Sequence, residues 1–223
     1  MKRFQHFAIP VAVAAACLAG AAHAAPEAKI GKIFTHRVIG ANVARLEKIT
    51  GKPVAIDKKA GTRSYKVGAC KVTAYMQGRR AASLELETSP QCTFDLSKIT
   101  GSAPKGTLVH ELTYGKAYTE FGEGRFTADC LEGCSATPTI GMTWEGPHSD
   151  KFLQFLLQTE LTDKNAKDAA EKWAQHMREK SGAEYVKALR FNTENTYDEA
   201  AAKMLQGVAI TRIRAGHGIV KEE

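Results

Sequence analysis

Beyond its first residues the chain has no stretch approaching the roughly 18 consecutive apolar residues that a membrane-spanning helix requires. Basic residues are not concentrated either. Among residues 25–223 the basic doublets are Lys58-Lys59 and Arg79-Arg80, and acids are interspersed throughout. A nucleic-acid groove or a membrane-binding patch gathers its charge and sets aromatics between the basic residues, so neither partner is expected. Complete catalytic signatures are missing. His110-Glu111-Leu112-Thr113-Tyr114 opens like the zinc-protease helix but has tyrosine where the second histidine must coordinate metal. Gly122-Glu123-Gly124 lacks the third glycine of a phosphate-binding loop and leads into a strand pattern, so no helix amino terminus awaits an anion. Ser102-Ala103-Pro104-Lys105 has the Ser-x-x-Lys spacing, but no Lys-Thr-Gly follows it and no Gly-x-Ser-x-Gly occurs. His36, His110, His148, His176 and His217 are scattered and form no ligand set. No catalytic residue, metal or cofactor is therefore expected.

What is present begins with a leader. Lys2 and Arg3 make a positive start, Phe7 to Gly20 is an uncharged apolar run, and Ala22-His23-Ala24 is a small-x-small cleavage site before Ala25-Pro26. Residues 1–24 thus read as a signal peptide, and the protein as periplasmic or secreted. Cys17 offers the alternative of a lipid anchor, but Ala14-Ala15-Ala16 lacks the leucine usually found three positions before such a cysteine. Cleavage after Ala24 removes two basic residues and leaves 29 against 24 acidic ones, a net charge of +5 over 199 residues. That is a mildly basic, solvated surface.

Cleavage also leaves four cysteines, Cys70, Cys92, Cys130 and Cys134. An even number in an exported chain reads as disulfides, for which four cysteines allow three pairings. Phase selects among them. Val72, Ala74 and Met76 alternate with Lys71, Thr73 and Tyr75, which puts Cys70 on the apolar face of a strand, and Phe94 and Leu96 place Cys92 likewise. The expected bridges are Cys70–Cys92 and Cys130–Cys134. A four-cysteine zinc site is the rival, weakened by one Cys-x3-Cys pair having only scattered partners in an oxidising compartment.

The periodicities describe an α+β fold with antiparallel sheet and helices on one side. Residues 41–50 read as a short helix stopped at Gly51. Strands are expected at 62–67, 70–76 and 81–87, the last two joined through Gly78, and Leu84 and Leu86 alternating with Glu85 and Glu87 give one buried and one wet face. The stretch 97–107, rich in Gly, Ser and Lys with Pro104, reads as a linker, dividing the mature chain into modules at 25–97 and 106–223 that could still share one core. Further strands are expected at 125–130, 139–144, 152–161 and 208–214. Ala166, Ala169, Ala170, Trp173 and Met177 form the stripe of a helix over 163–180, capped by Asp163 and ended by Gly182, with shorter helices at 183–189 and 198–205. In Trp144-Glu145-Gly146-Pro147-His148, Trp144 and His148 are the candidate partner contacts, although core packing is the commoner fate of a tryptophan.

Ile39-Gly40, Val43 and Leu46 on a short helix, Gly51-Lys52-Pro53, Tyr65, and a strand–turn–strand at Gly78 give residues 39–87 a family likeness. This segment resembles the small BamE/SmpA modules of outer-membrane assembly and the similarly built β-lactamase inhibitory proteins. The resemblance implies a helix-plus-antiparallel-sheet unit that binds proteins and catalyses nothing. The leading expectation is a non-catalytic periplasmic protein that binds another protein or an envelope component. The alternatives are a hydrolase acting on an envelope or extracellular substrate and a small-ligand carrier.

Overall fold

The alternation of Val72 and Ala74 with Lys71 and Thr73 becomes an interior strand of a sheet in the computed structural model, which describes residues 26–101, 103–145, 153–187 and 195–219. The expected leader at 1–24, Cys17 within it, and His148 lie outside those residues. Two helices come first, α1 (Pro26–Ile33) and α2 (Val43–Thr50), followed by strands β1 (Ala55–Asp57), β2 (Thr62–Val67), β3 (Cys70–Gln77) and β4 (Arg80–Glu87). Then come α3 (Ser97–Thr100), α4 (Tyr114–Phe121), β5 (Arg125–Ala128), β6 (Thr139–Glu145) and β7 (Gln154–Glu160). Helices α5 (Lys164–Ser181), α6 (Ala183–Lys187) and α7 (Asp198–Met204) precede the final strand, β8 (Arg212–Gly216).

All eight strands form one antiparallel sheet in the order β1-β2-β3-β4-β8-β7-β6-β5. The last strand along the chain therefore lies between the two halves, pairing with β4 on one side and β7 on the other. Side chains on one face are buried: Tyr65, Val72, Leu84, Leu86, Ile213, Leu157, Met142 and Phe126 are at most 1% exposed. Each such apolar side chain taken fully from water contributes about 1.5–3 kcal/mol. The helices pack on this face. Glu47 of α2 accepts a hydrogen bond from the Tyr65 hydroxyl at 3.4 Å, and Tyr114 of α4 donates to the Ile140 carbonyl at 2.9 Å. Trp173 of α5 meets Phe126 edge-on and donates its indole N–H to the Tyr197 carbonyl.

Local chemistry places the ends. Asp163 accepts the Ala166 N–H at 3.0 Å to start α5, and Asn42 accepts the Ala44 N–H at 3.0 Å to start α2. The β3–β4 hairpin turns at Gly78, whose φ of 59° opens a two-residue turn with glycine first. The expected antiparallel pairing of residues 70–76 with 81–87 is present, with a register shift between Tyr75 and Met76. Phe152–Leu161, ambiguous between helix and strand, is strand over Gln154–Glu160 within the described residues.

One expectation is corrected. The described residues of the 97–107 stretch, 97–101 and 103–107, do not run as an exposed linker, because Ile99, Thr100 and Ala103 are buried and residues 97–100 form α3. The Leu96 N–H donates to the Thr107 carbonyl at 2.9 Å, closing the segment back on itself. Glycine and proline there mark turns in a folded crossing. The modules at 25–97 and 106–223 are joined by a continuous sheet.

Both expected disulfides are present, Cys70–Cys92 with Cα atoms 5.4 Å apart and Cys130–Cys134 at 5.8 Å. They fit an oxidising compartment outside the cytoplasm. Among the described residues no helix is long and apolar enough to cross a membrane.

Candidate binding face

The face of the sheet opposite the helices is polar, and strand register decides which residues share it. Directly paired residues point the same way. Thr73 pairs with Glu85, Glu85 with Arg214, Arg214 with Leu156, and Leu156 with Thr143. Parallel to this row runs a second, through Glu87, Arg212, Gln158 and Gly141, and a third through Tyr75 and Ser83. Most of these side chains are half-buried, which is what a sheet face with no covering layer gives.

At the centre the side chains hold one another. Arg214 reaches from β8 across β4, donating its Nε–H to Ser83 Oγ at 2.7 Å, and its guanidinium carbon lies 3.5 Å from the centroid of the Tyr75 ring on β3. The Tyr75 hydroxyl donates to Glu85 Oε2 at 2.8 Å. Arg212 pairs with Glu160 and has its Nε 3.8 Å from Glu85 Oε1. Burial, then the carboxylate of Glu85, pushes the Tyr75 phenol up to about 12. Burial pulls the Arg214 guanidinium below its ordinary value, against the pull of Tyr75 and Glu85. It stays charged, as arginine does in proteins. A cation stacked on a ring, with one nitrogen pinned, is held in place before any ligand arrives.

Neither hydroxyl at this centre is set up as a nucleophile. Ser83, 0% exposed, has a cation as its hydrogen-bond donor and, among the described residues, no base hydrogen-bonded to it to take its proton. Tyr75 holds its proton through neutral pH and donates it to a carboxylate, so it is no nucleophile.

A separate open cleft of about 780 Å³ lies between α4 and α7, lined by Tyr118, Glu123, Arg125, Asp198 and Glu199 among others. Asp198 there accepts the Phe126 N–H at 2.8 Å and so caps an outward amide of edge strand β5. Burial, with Glu123, Glu199 and Asp198 after it, raises the Tyr118 phenol. Among the described residues no group of His, Cys, Asp and Glu side chains is placed to hold a metal ion.

The residues singled out from sequence lie elsewhere. Cys70 and Cys92 are buried on the helix side, and Cys130 and Cys134 staple the loop after β5. Trp144 is 6% exposed, its ring between Phe121 and Phe155 at 5.2 Å from each, so it packs in the core. The His110 segment folds as a single short turn ahead of α4, and its Nδ1 lies 3.0 Å from Thr93 Oγ1. The arginines of β8 were missed. Their signal was Arg212 and Arg214 alternating with Ile213 and Ala215, the same wet-and-buried pattern already visible at Glu85 and Glu87.

Comparisons with family models, with curated proteins and with solved structures returned no match. The functional reading therefore stands on the geometry of this chain.

Proposed function

We propose that the protein is a non-catalytic binding module of the periplasm, exported by the leader at residues 1–24, which takes another protein or an envelope component on the open face of its sheet. The observation that carries this reading is the preset cluster of Arg214, Tyr75, Ser83 and Glu85 on a face that the helices leave uncovered. Well-placed polar groups on a rigid sheet suit binding, since little ordering remains to be done on association. The likeness of residues 39–87 to envelope modules points the same way. Neither the hydrolase nor the carrier reading gains a comparable observation.

The test is photo-crosslinking in cells. A crosslinking residue is placed at Thr73 or Thr143 on the open face, or at Lys172 on the exposed side of α5. Adducts from the two sheet positions and none from Lys172 are expected. Adducts from Lys172 alone would overturn the reading.

A further inference from the structure

We infer that Arg214 reads an oxyanion of the ligand, a carboxylate or a phosphate group, through its two terminal nitrogens. This rests on the binding reading above and gives it a chemistry. The guanidinium is fixed twice, at Nε by Ser83 and on one flat face by Tyr75. Its terminal nitrogens have no acceptor among the described residues. They are also not enclosed: the buried side-chain polar atoms without a partner among the described residues are Glu120 Oε2 and Arg212 Nε. Four N–H groups thus face the open side of the sheet in a fixed fork. That fork matches the two oxygens of a carboxylate or phosphate, the strongest class of hydrogen bond available to it.

Charge accounting on this face singles out the same residue. Glu85 already receives the Tyr75 hydroxyl and faces Arg212, and Glu160 pairs with Arg212. Among the described residues Arg214 has no carboxylate within ion-pair distance. Glu85, the carboxylate that acts on Arg214, is already engaged by Tyr75 and Arg212, so the partly desolvated guanidinium retains free energy that an incoming anion restores. Lysine would keep the charge and lose the fork.

The experiment uses the mature chain labelled with nitrogen-15, following the Arg214 Nε–H and Ser83 amide signals. Acetate, methyl phosphate, acetamide and sodium chloride are titrated at matched ionic strength. Saturable movement with acetate or methyl phosphate is expected, with none from acetamide or chloride, and the tighter of the two oxyanions names the ligand group. Arg214→Lys, read on the Ser83 amide, should weaken it about tenfold or more, the scale of a lost charge-assisted hydrogen bond. Arg125→Lys, at the outer strand of the same face, should leave it unchanged. Should Arg214→Lys disturb the sheet, Tyr75→Leu keeps the charge but removes the stacking surface, and weaker oxyanion binding is again expected. Movement with chloride equal to that with acetate, or unaltered affinity in these variants, would overturn the inference. Crosslinks from Thr73 and Thr143 that survive Arg214→Lys would leave the binding face standing and remove Arg214 from it. Specific oxyanion binding without crosslinks would do the reverse.

Discussion

Removing the Cys70–Cys92 bridge should cost clearly more stability than removing Cys130–Cys134. The sequence separations are 22 and 4 residues. In the chain-entropy treatment these correspond to about 3.4 and about 1.9 kcal/mol at 25 °C, a difference of about 1.5 kcal/mol. Packing widens the gap. Cys70 and Cys92 are 1% and 7% exposed and their sulfurs fill core volume, whereas Cys130 and Cys134 are half-exposed. The clean perturbation is a pair of alanines at each bridge. Serine would add an unpartnered hydroxyl to the core, itself worth about 1–3 kcal/mol, and a single replacement would leave a thiol free to mispair. Urea unfolding followed by tryptophan fluorescence suits the measurement, since Trp144 and Trp173 are both buried and report the loss of the core. Cys70→Ala with Cys92→Ala should lose about 3–5 kcal/mol, and Cys130→Ala with Cys134→Ala about 2 kcal/mol or less. Equal losses, or the reverse order, would refute the argument from loop length and burial. A non-reducing peptide map linking Cys92 to Cys130 would remove its premise.

Three further outcomes are expected. A Cβ at Gly216 would stand 2.4 Å from the Ala82 carbonyl oxygen at a φ of 151°, so Gly216→Ala should cost more than about 2 kcal/mol; a thermal midpoint equal to that of the parent would show that β4 and β8 can part to make room. The Tyr75 phenol keeps its proton to about 12 when folded, against an ordinary value of 10.0. Its contribution is therefore whole below pH 10 and lost as pH rises towards 12, because the unfolded chain then holds fewer protons. Tyr75→Phe should flatten the decline of urea midpoint over that interval, and an unchanged slope would count against the assignment. Finally, intact mass measurement of exported protein should give Ala25 as the first residue; a lipid-modified Cys17 would overturn the cleavage reading.

Much of the architecture could be read from residue phase, and the rest could not for identifiable reasons. Val72 and Ala74, or Leu84 and Leu86, alternate cleanly because their strands have one wet face, and the same phase put Cys70 beside Cys92. The stripe of Ala166, Ala170, Trp173 and Met177 needed no tertiary knowledge to give α5. Helix α1 escaped notice, although Ile30, Ile33 and Phe34 carry helical spacing and are buried, because it is short and follows directly on the stretch that reads as a leader. The stretch 97–107 misled because Gly101 and Pro104 mark turns whether a segment is a tether or a tightly folded crossing. The polar face of the sheet was half legible. Glu85 and Glu87 announced a wet surface, but the contact between Arg214 and Ser83 spans 131 residues, and pairing at that range leaves no local trace.

The position of β8 has a temporal consequence. Every other strand precedes it along the chain, yet it sits between β4 and β7. Until residues 212–216 have left the ribosome, both neighbours present raw edges with unsatisfied backbone amides and carbonyls, the kind that recruit foreign strands. The strand groups β1–β4 and β5–β7 can form early from local contacts, but closing them into a single sheet must wait for the end of synthesis, and it draws together residues more than a hundred positions apart. A chain stalled or clipped shortly before Arg212 would thus be two sticky half-sheets, a substrate for chaperones and proteases in the compartment where it folds.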